Sequence, residues 1–309
     1  MQHKASAPGS FMLFGEHGVL QGKPAIVAAA NTRIQVTLTP RDDGNIHIDA
    51  GELGQLTTTI DDLDAQPPFQ FVIEALLFCQ NLLPSGCDLR ITSEFPHTVG
   101  LGSSAAVTVA CIGVLNHWLE LGFDKVAIYK LGLHIIQKVQ GLGSGADVAA
   151  SVFGGIVAYT PPDIEPLSVD MPVSLIYCGY KTPTVDVVNT VATAAANEPD
   201  KFTQLYDDIG TGVQNAHTYL SAQDWPALGQ EMDRHFRFQQ QLGVSDPTLE
   251  AIIQRLAGID GIHGAKISGS GLGDCVVACG VTPDDAVFAD IPGAKVIPVT
   301  IAKEGLVCE

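Results

Sequence analysis

Two glycines and two serines lie directly before a run of small apolar residues, in the segment PHTVGLGSSAAVTVACIGVL at 96–115. A helix leaves its first amide groups without partners and carries partial positive charge at that end, so anions bind there. Gly100 and Gly102 lack the Cβ atoms that would keep an anion from the backbone, and the Ser103 and Ser104 hydroxyls suit a phosphate oxygen or a metal ion. The pattern predicts an anion site before a buried helix, and the alternative is a plain turn before a core helix.

A carboxylate stands inside a second glycine-rich turn, GSGADVAAS at 143–151. Small residues surround Asp147 and leave room for a ligand beside it. A carboxylate so placed could accept a proton from a hydroxyl that attacks phosphorus, or it could orient that hydroxyl. The alternative interpretation is an N-cap for the helix that follows, and the two roles are compatible.

A third glycine loop, KISGSGLGDCVVA, separates two strand-like runs and has Gly269, Ser270 and Gly271 at its centre. Near the N-terminus, LFGEHGVLQGKPAIVAA sets polar residues between apolar runs, where side chains often line a site. These polar residues are Glu16, His17 and Lys23. The loops lack the GxxxxGK[ST] pattern of P-loops, and the first loop lacks the Rossmann order, so nucleotide binding must be of another design.

The composition predicts a well-buried enzyme with an acidic surface. The chain has 309 residues, of which 46% are apolar and 16% charged, and its length favours two lobes over one core. Its formal charge of −18, without a cluster of basic residues, argues against a nucleic-acid partner. A polyanionic ligand would need loop amides, a divalent cation and a few well-placed basic side chains to overcome the repulsion.

The seven cysteines lie mostly in apolar runs and are predicted to be reduced core residues of a cytoplasmic protein. Cys275 and Cys279 lack a second Cys or His pair at zinc-like spacing, so a structural role is predicted for them. The N-terminus does not read as a signal peptide, and no run of 18 apolar residues predicts a membrane span.

Strand-like runs alternate with turns over the first hundred residues, with a hairpin predicted in DDGNIHIDAGELG and a helix from Phe69 to Leu83. Further helices are predicted at roughly 185–220 and 224–241, and Asp246 is the predicted N-cap of another. The proline-rich segment at 160–172 marks the predicted lobe boundary. The expected fold class is therefore α+β, with lobes at 1–165 and 166–309.

Three segments resemble, in order, the signature motifs of the GHMP small-molecule kinases: SAPGSFMLFGEHGVLQGKPAIVAA, PHTVGLGSSAA and AKISGSGLGDCVVA. Within the first segment, GEHGVLQGKPAI is similar to the mevalonate kinase family in particular. The segment QQQLGVSDPTLEAII is also similar to a stretch that precedes the third motif in that family. The resemblance covers nearly the whole chain.

The resemblance implies a two-lobed kinase, with an N-terminal lobe like ribosomal protein S5 domain 2 and a ferredoxin-like C-terminal lobe. It implies that ATP lies between the lobes, that the Ser104 hydroxyl meets Mg²⁺, and that Asp147 is the catalytic aspartate. It also implies that nine residues surround the nucleotide phosphates: Gly100, Leu101, Gly102, Ser103, Ser104, Ala105, Gly269, Ser270 and Gly271. Glu16 and His17 match positions that face mevalonate, and Lys23 is assigned to the same substrate side.

The chain departs from that family pattern at three places. Ser10 stands where the first motif usually has a lysine, and either Lys23 or Lys181 could supply the missing cation. Ile136 stands where those kinases carry a metal-binding glutamate, so Mg²⁺ would be held by Ser104, phosphates and water. The third motif reads GSGLGDC where GAGGGGC is usual, and the loop around Asp147 is similar to that of phosphomevalonate kinases.

The activity that the resemblance implies is ATP-dependent phosphorylation of the primary hydroxyl of mevalonate, an early step in making isoprenoid precursors. The alternatives are phosphomevalonate or the 3-hydroxyl of mevalonate as acceptor, and a nucleotide-binding homologue that has lost catalysis. The oligomeric state is left open, with a homodimer among the assemblies considered.

Overall fold

Twelve strands and eight helices alternate along the part of the chain that the computed structural model describes, residues 1–96 and 99–309. The strands are β1 (His3–Phe14), β2 (Ala25–Pro40), β3 (Asn45–Asp49), β4 (Gln55–Thr59), β5 (Cys87–Ser93), β6 (Ile156–Thr160), β7 (Asp163–Leu167), β8 (Val173–Tyr177), β9 (Ile262–Ser268), β10 (Cys275–Gly280), β11 (Lys295–Ile297) and β12 (Val307–Cys308). The helices are α1 (Gln70–Cys79), α2 (Ser103–Trp118), α3 (Lys125–Gln140), α4 (Ala146–Phe153), α5 (Thr184–Asn197), α6 (Pro199–Ala222), α7 (Trp225–Leu242) and α8 (Pro247–Leu256). None of these helices is both long enough and apolar enough to cross a membrane.

Eight strands form a first, mixed sheet in the order β12-β1-β2-β5-β3-β4, with β6 also paired to β2 and β7 paired to β6. The antiparallel register of β1 and β2, with Phe11 opposite Ala28, shifts between Pro8 and Ser10. Proline has no amide hydrogen to donate, so a ladder is readily interrupted beside it. The interruption leaves Ser10 at the edge of the large cavity described below.

Four strands form a second sheet, antiparallel throughout, in the order β11-β8-β10-β9. Helix α8 begins where the Asp246 carboxylate accepts hydrogen bonds from the amides of Thr248, at 2.9 Å, and Leu249, at 3.0 Å. Helix α7 lies so close to β9 that a Cβ built on Gly229 would be 2.1 Å from the carbonyl oxygen of His263. Glycine is therefore required at this helix–strand contact.

The two sheets share one apolar core on the side of the cavity. Phe11 and Phe14 of β1 are buried in the same cluster as Leu175 of β8, Val277 of β10 and Met232 of α7. The remaining helices of the first half, α1 to α4, bury a separate cluster against the first sheet. Because the sheets are joined by packed side chains, the loops at their shared edge are held at fixed separations.

Helices α2 and α4 begin at the cavity, and each has a glycine as its N-cap residue. Gly102, with φ of 58°, precedes α2, and Gly145, with φ of 90°, precedes α4. Both angles lie in the left-handed region that favours glycine. The residues of α2 from Thr108 to Leu115 are all buried, as the sequence predicts. The uncapped amides at the start of α2 are therefore available to a ligand, whereas the first amide of α4, that of Ala146, donates to Ser144 Oγ at 3.2 Å.

Most predicted elements are confirmed. The hairpin is β3 and β4, the first predicted helix is α1, and Asp246 caps α8. The helical stretch predicted at 185–220 is two helices, because the chain turns at Glu198 before Pro199 begins α6. The proline-rich segment at 160–172 contains β7, which remains with the first sheet, so the predicted boundary at 165/166 falls within a strand.

We expect Gly229→Ala to lower the free energy of unfolding by about 1 to 3 kcal/mol, although alanine is the better helix former, because the methyl group would overlap β9. The matched control is Gly210→Ala in α6, where a Cβ would meet its nearest neighbours at an ordinary 3.6 Å. That substitution should stabilise the protein by about 0.5 to 1 kcal/mol. Urea unfolding of both variants measures the difference, and stabilisation by Gly229→Ala would contradict the close packing of α7 on β9.

Candidate active site

A cavity of about 400 Å³ opens between the end of β1, the starts of α2 and α4, and the loop that joins β9 to β10. The structure brings ten of the predicted site residues to its wall: Glu16, His17, Gly100, Gly102, Ser103, Ser104, Ala105, Asp147, Gly269 and Ser270. These residues come from four segments that are far apart in sequence. The three glycine-rich segments and the first motif therefore surround one space.

The loop before α2 fits a phosphate chain. Gly100 has φ of 67° and Gly102 has φ of 58°, and neither position has room for a side chain. A Cβ on Gly102 would lie 2.0 Å from Ser10 Oγ, so the loop backbone packs directly against β1. With the α2 amides uncapped and the Ser103 and Ser104 side chains on the cavity wall, the segment can bind anionic oxygens.

Asp147 lies in the first turn of α4, and its Oδ1 accepts a hydrogen bond of 2.8 Å from Ser10 Oγ. Gly145 is the N-cap residue of α4, so the interpretation of Asp147 as the cap is wrong. Burial raises the pKa of Asp147, and the Ser10 hydroxyl and the Lys181 ammonium reduce that rise. The carboxylate is thus poised to take up a proton more readily than an exposed aspartate.

Two charged residues lie close enough to Asp147 to interact with its charge: Asp274, which the sequence left without a role, and Lys181, one of the two candidate cations. Asp274, in the third glycine loop, is only 5% exposed, and its Oδ1 lies 3.4 Å from Lys181 Nζ. Lys181 belongs to the segment after β8, which is tied to the third loop by the Asp274 amide donating to the Tyr180 carbonyl at 2.9 Å. Burial raises the pKa of Asp274, the Lys181 ammonium reduces that rise, and the charge of Asp147 adds to it.

A signal for Asp274 was present in the sequence, because an acid in a glycine-rich phosphate loop is unfavourable without a cation. Lys181 carried a weaker signal, as one of two lysines that could replace the missing cation. Sequence spacing does not show that the segment after β8 lies against the loop after β9. The contact arises only when β8 and β10 pair.

Glu16 is almost fully buried and forms an ion pair with Lys266 of β9, which is 0% exposed. His235 of α7 places its Nε2 3.3 Å from the other carboxylate oxygen, Oε2. Burial alone would raise the pKa of Glu16, but Lys266 and His235 outweigh it and hold the pKa at about 2. Burial also lowers the pKa values of Lys266 and His235. Glu16 therefore stays ionised and joins β1 to the second sheet.

His17 connects the first motif to the third loop. Its Nε2 donates a hydrogen bond of 2.8 Å to the carbonyl oxygen of Ser270. Burial lowers the pKa of His17, although the Ser270 carbonyl and the Glu16 charge oppose that change. A neutral ring that donates through Nε2 positions the third loop beside the cavity without adding charge.

Three predicted residues do not line the cavity. Lys23 forms an ion pair with Asp207 on α6, with about a third of its side chain exposed. Leu101 is buried in the shared core, and its carbonyl accepts a hydrogen bond of 3.0 Å from the Ser10 amide. A Cβ on Gly271 would lie 2.4 Å from the Val244 carbonyl, so that glycine permits close packing of the third loop. Ile136 does line the cavity, with an apolar side chain.

The site combines an uncapped helix start, two facing acids and one ammonium group, which is the arrangement of a phosphotransferase. Two family models match the chain: GHMP kinases N terminal domain at residues 70–155, and GHMP kinases C terminal at residues 216–289. The protein is therefore a GHMP kinase, and the expected two-lobed fold class is confirmed.

Individual relatives narrow the family. The mevalonate kinase of Pyrococcus abyssi (strain GE5 / Orsay) is 31% identical over 98% of this chain and 96% of its own. A crystal structure of L. major mevalonate kinase in complex with R-mevalonate is similar with a TM-score of 0.79 and 26% identity, over 97% of this chain and 96% of that one. Phosphomevalonate kinase of Streptococcus pneumoniae shares the fold alone, with a TM-score of 0.81 at 15% identity over 96% and 99% of the two chains. The chain belongs to the mevalonate kinase family.

We expect Glu16→Gln to lower the free energy of unfolding at neutral pH by about 3 to 5 kcal/mol, because the buried Lys266 ammonium loses its partner. The double variant Glu16→Gln with Lys266→Met should recover part of this loss, since it removes both charges. In the wild type, this stability should be lost as the pH falls from 4.5, the ordinary pKa of a glutamate, towards 2, the pKa of Glu16 in the folded protein. Over that range Glu16 takes up a proton and the ion pair is lost. Chemical unfolding of the two single variants and the double variant gives the coupling energy, and additive losses would contradict the pairing.

Proposed function

We propose that the protein transfers the γ-phosphoryl group of ATP to the primary hydroxyl of mevalonate and releases 5-phosphomevalonate and ADP. The observation that supports it most directly is the position of Asp147 on the wall of a cavity shared with two phosphate-binding loops. Mevalonate as the acceptor is supported by the names of its relatives, including the L. major enzyme in complex with R-mevalonate. In the reaction the hydroxyl oxygen bonds to the γ-phosphorus, the bond to the bridging oxygen of ADP breaks, and the hydroxyl proton leaves.

The loop from Gly100 to Ala105 binds the nucleotide phosphates in this proposal, with Gly269 and Ser270 facing them from the other side. Backbone amides suit this role because they need no reorganisation as charge develops on the transferring group. Mg²⁺, when bound, would neutralise charge on the phosphates, and Ser104, which lines the cavity, would be the residue of this loop that holds it. Glu16 supports the substrate side by holding the end of β1, and His17 holds the third loop.

Asp147 accepts the proton of the attacking hydroxyl. Its Oδ1 is occupied by the Ser10 hydroxyl, which fixes the carboxylate and leaves Oδ2 for the substrate. Burial raises the pKa of Asp147, so the group becomes a stronger base than an exposed aspartate while it remains able to ionise. Ser10 thus has a positioning role at the place where a lysine is usual in the family.

Lys181 supplies the cation beside Asp147. It lines the cavity, and its ammonium is close enough to lower the pKa values of Asp147 and Asp274. Lys23, the other candidate, is outside the cavity wall and paired with Asp207. Among the described residues that line the cavity, Lys181 is the one lysine or arginine. One ammonium group provides little positive charge to balance both a nucleotide and a phosphorylated acceptor, which favours mevalonate over phosphomevalonate as the acceptor.

The direct test is incubation of the purified protein with ATP, Mg²⁺ and a panel of mevalonate, phosphomevalonate, homoserine and galactose. We expect 5-phosphomevalonate, identified by the position of the phosphate in NMR spectra. A product formed from phosphomevalonate, or one phosphorylated on the 3-hydroxyl of mevalonate, would change the assigned acceptor but leave the assignment as a kinase. Absence of acceptor-dependent ADP formation with every member would favour a homologue without catalysis.

We propose a cytoplasmic location because the cysteines are free thiols. Six of the seven are buried free thiols, and Cys308 is exposed without a disulfide partner. Such usage is typical of proteins in reducing compartments. A homodimer stays a prediction.

Asp147→Asn should lower kcat by at least about 100-fold and leave ATP affinity close to that of the wild type, because the amide cannot take up the proton. The acidic limb of the wild-type kcat/KM profile should lie at a higher pH than an exposed aspartate would give, since burial raises the pKa of Asp147 above its usual 3.8. Steady-state kinetics and nucleotide titration measure both effects. Near-normal turnover in the variant would contradict the assignment.

Lys181→Met should lower kcat by at least about 10-fold, with partial recovery in Lys181→Arg, because a cation beside the reacting groups stabilises developing charge. Lys201→Met is the matched control, since Lys201 is half exposed and paired with Glu198 on the surface. Lys23→Met separates the two candidate cations. A larger loss in Lys23→Met than in Lys181→Met would assign the role to Lys23 instead.

A further inference from the structure

Asp274 is a buried carboxylate whose charge is only partly compensated. The residue is 5% exposed and lies on the cavity wall. Among the residues that the structure describes, its Oδ1 accepts no hydrogen bond, and the Lys181 ammonium stands 3.4 Å away. A buried carboxylate oxygen in a protein normally accepts at least one hydrogen bond, so Oδ1 can take a further ligand beside its ion pair with Lys181.

The carboxylate of Asp274 lies directly against the loop that precedes α2. A Cβ built on Gly100 would be 2.4 Å from Oδ1 and 2.6 Å from Cγ, so only a glycine can accept this approach. On its other side, the Gly269 position lies 3.6 Å from Oδ2 by the same measure. Asp274 therefore stands between the two loops that the proposed function assigns to the nucleotide phosphates.

This position is unfavourable for an anion unless a cation is present. Asp147 and Asp274 are close enough that the charge of Asp147 raises the pKa of Asp274, and Lys181 is shared between them. A triphosphate in the same cavity would add several negative charges to a protein whose formal charge is already −18. One ammonium cannot neutralise two carboxylates and a triphosphate, and a divalent cation held by Asp274 together with the phosphates would reduce the repulsion between them.

We propose that Asp274 is a ligand of the divalent cation that enters with the nucleotide, through its Oδ1, an inference that rests on the proposed function. Mg²⁺ in nucleotide sites is typically held by one or two carboxylates together with phosphates and water. Ile136 contributes an apolar side chain to the cavity, so α3 offers no carboxylate at that point. Asp274 provides the acidic ligand from the third glycine loop, where it lies against Gly100 of the loop that precedes α2.

The backbone of Asp274 orients the carboxylate before any ligand binds. Its amide donates to the Tyr180 carbonyl at 2.9 Å, and its carbonyl accepts from the Cys178 amide at 2.9 Å. Its φ of 67° lies in the left-handed region, where aspartate is tolerated better than most residues but glycine is favoured. A strained conformation retained at a buried acid fits a ligand-binding role, and it means that glycine at this position should fold without difficulty.

The test measures Mn²⁺ binding by electron paramagnetic resonance in the presence of a non-hydrolysable ATP analogue. Asp274→Asn removes the charge at constant shape, Asp274→Gly removes the side chain and relieves the backbone, and Asp260→Asn is the control at an exposed acid. We expect both Asp274 variants to weaken Mn²⁺ binding at least about 10-fold, with the control unchanged. The same analogue, titrated in EDTA, should bind the Asp274 variants as tightly as the wild type or more tightly, because a repelling charge is gone.

The outcomes separate this role from the others. Unchanged Mn²⁺ affinity in both variants would overturn the proposal and leave Asp274 as a partner that only holds Lys181. Equal weakening of analogue binding with and without the metal would also overturn it, since a distorted loop affects both. Phosphorylation of mevalonate by the wild type is scored separately, so failure of the acceptor assignment is distinguishable from failure of the metal assignment.

Discussion

The buried ion pair between Glu16 and Lys266 joins the two sheets at the edge of the cavity. Both side chains are out of contact with water, so each charge depends on the other for compensation. The pair is reinforced by the Ser268 hydroxyl, which donates to the Met12 carbonyl at 2.9 Å, and by the contact of His17 with Ser270. Because these contacts fix the end of β1 against the end of β9, the first and third motifs stand at a constant separation across the cavity.

The acidic side chains within the cavity, unlike this ion pair, lack full compensation of their charge. Asp274 is buried and Asp147 is partly buried, neither charge is fully compensated, and burial raises the pKa of each. Groups of this kind reduce the stability of the folded protein at neutral pH, since the charged form is disfavoured there. The Glu16–Lys266 pair at the edge of the cavity holds the two sheets together, while Asp147 and Asp274 remain able to take up a proton or bind a cation. This division is typical of an active site, in which function and stability compete.

The departures of this chain from its family form a connected set in space. Ser10, which stands where a lysine is usual, donates to Asp147, and the charge of Lys181, in the segment after β8, reduces the rise in the pKa of the same acid. Ile136 brings no carboxylate to the cavity, while Asp274 brings one from the third loop. Lys181 and Asp274 also form an ion pair with each other. The cation that stands in for the family lysine is therefore coupled to the acid that stands in for the family glutamate. The site thus keeps a cation and an additional acid near Asp147, with both supplied by different elements.

The sequence by itself determined the fold class and the family, and it predicted where the glycine loops lie and that Asp147 stands in one of them. These features are encoded in local patterns of glycine, small apolar residues and caps. It also predicted most of the individual helices and strands, apart from the break before α6 and the strand β7. Only the tertiary structure decided that Glu16 is paired with Lys266, that Lys23 lies outside the cavity wall, and that Lys181 and Asp274 face Asp147. Those facts depend on which strands pair and on how closely two loops approach, and neither the register of β8 with β10 nor the compensation of a buried charge is visible in residue spacing.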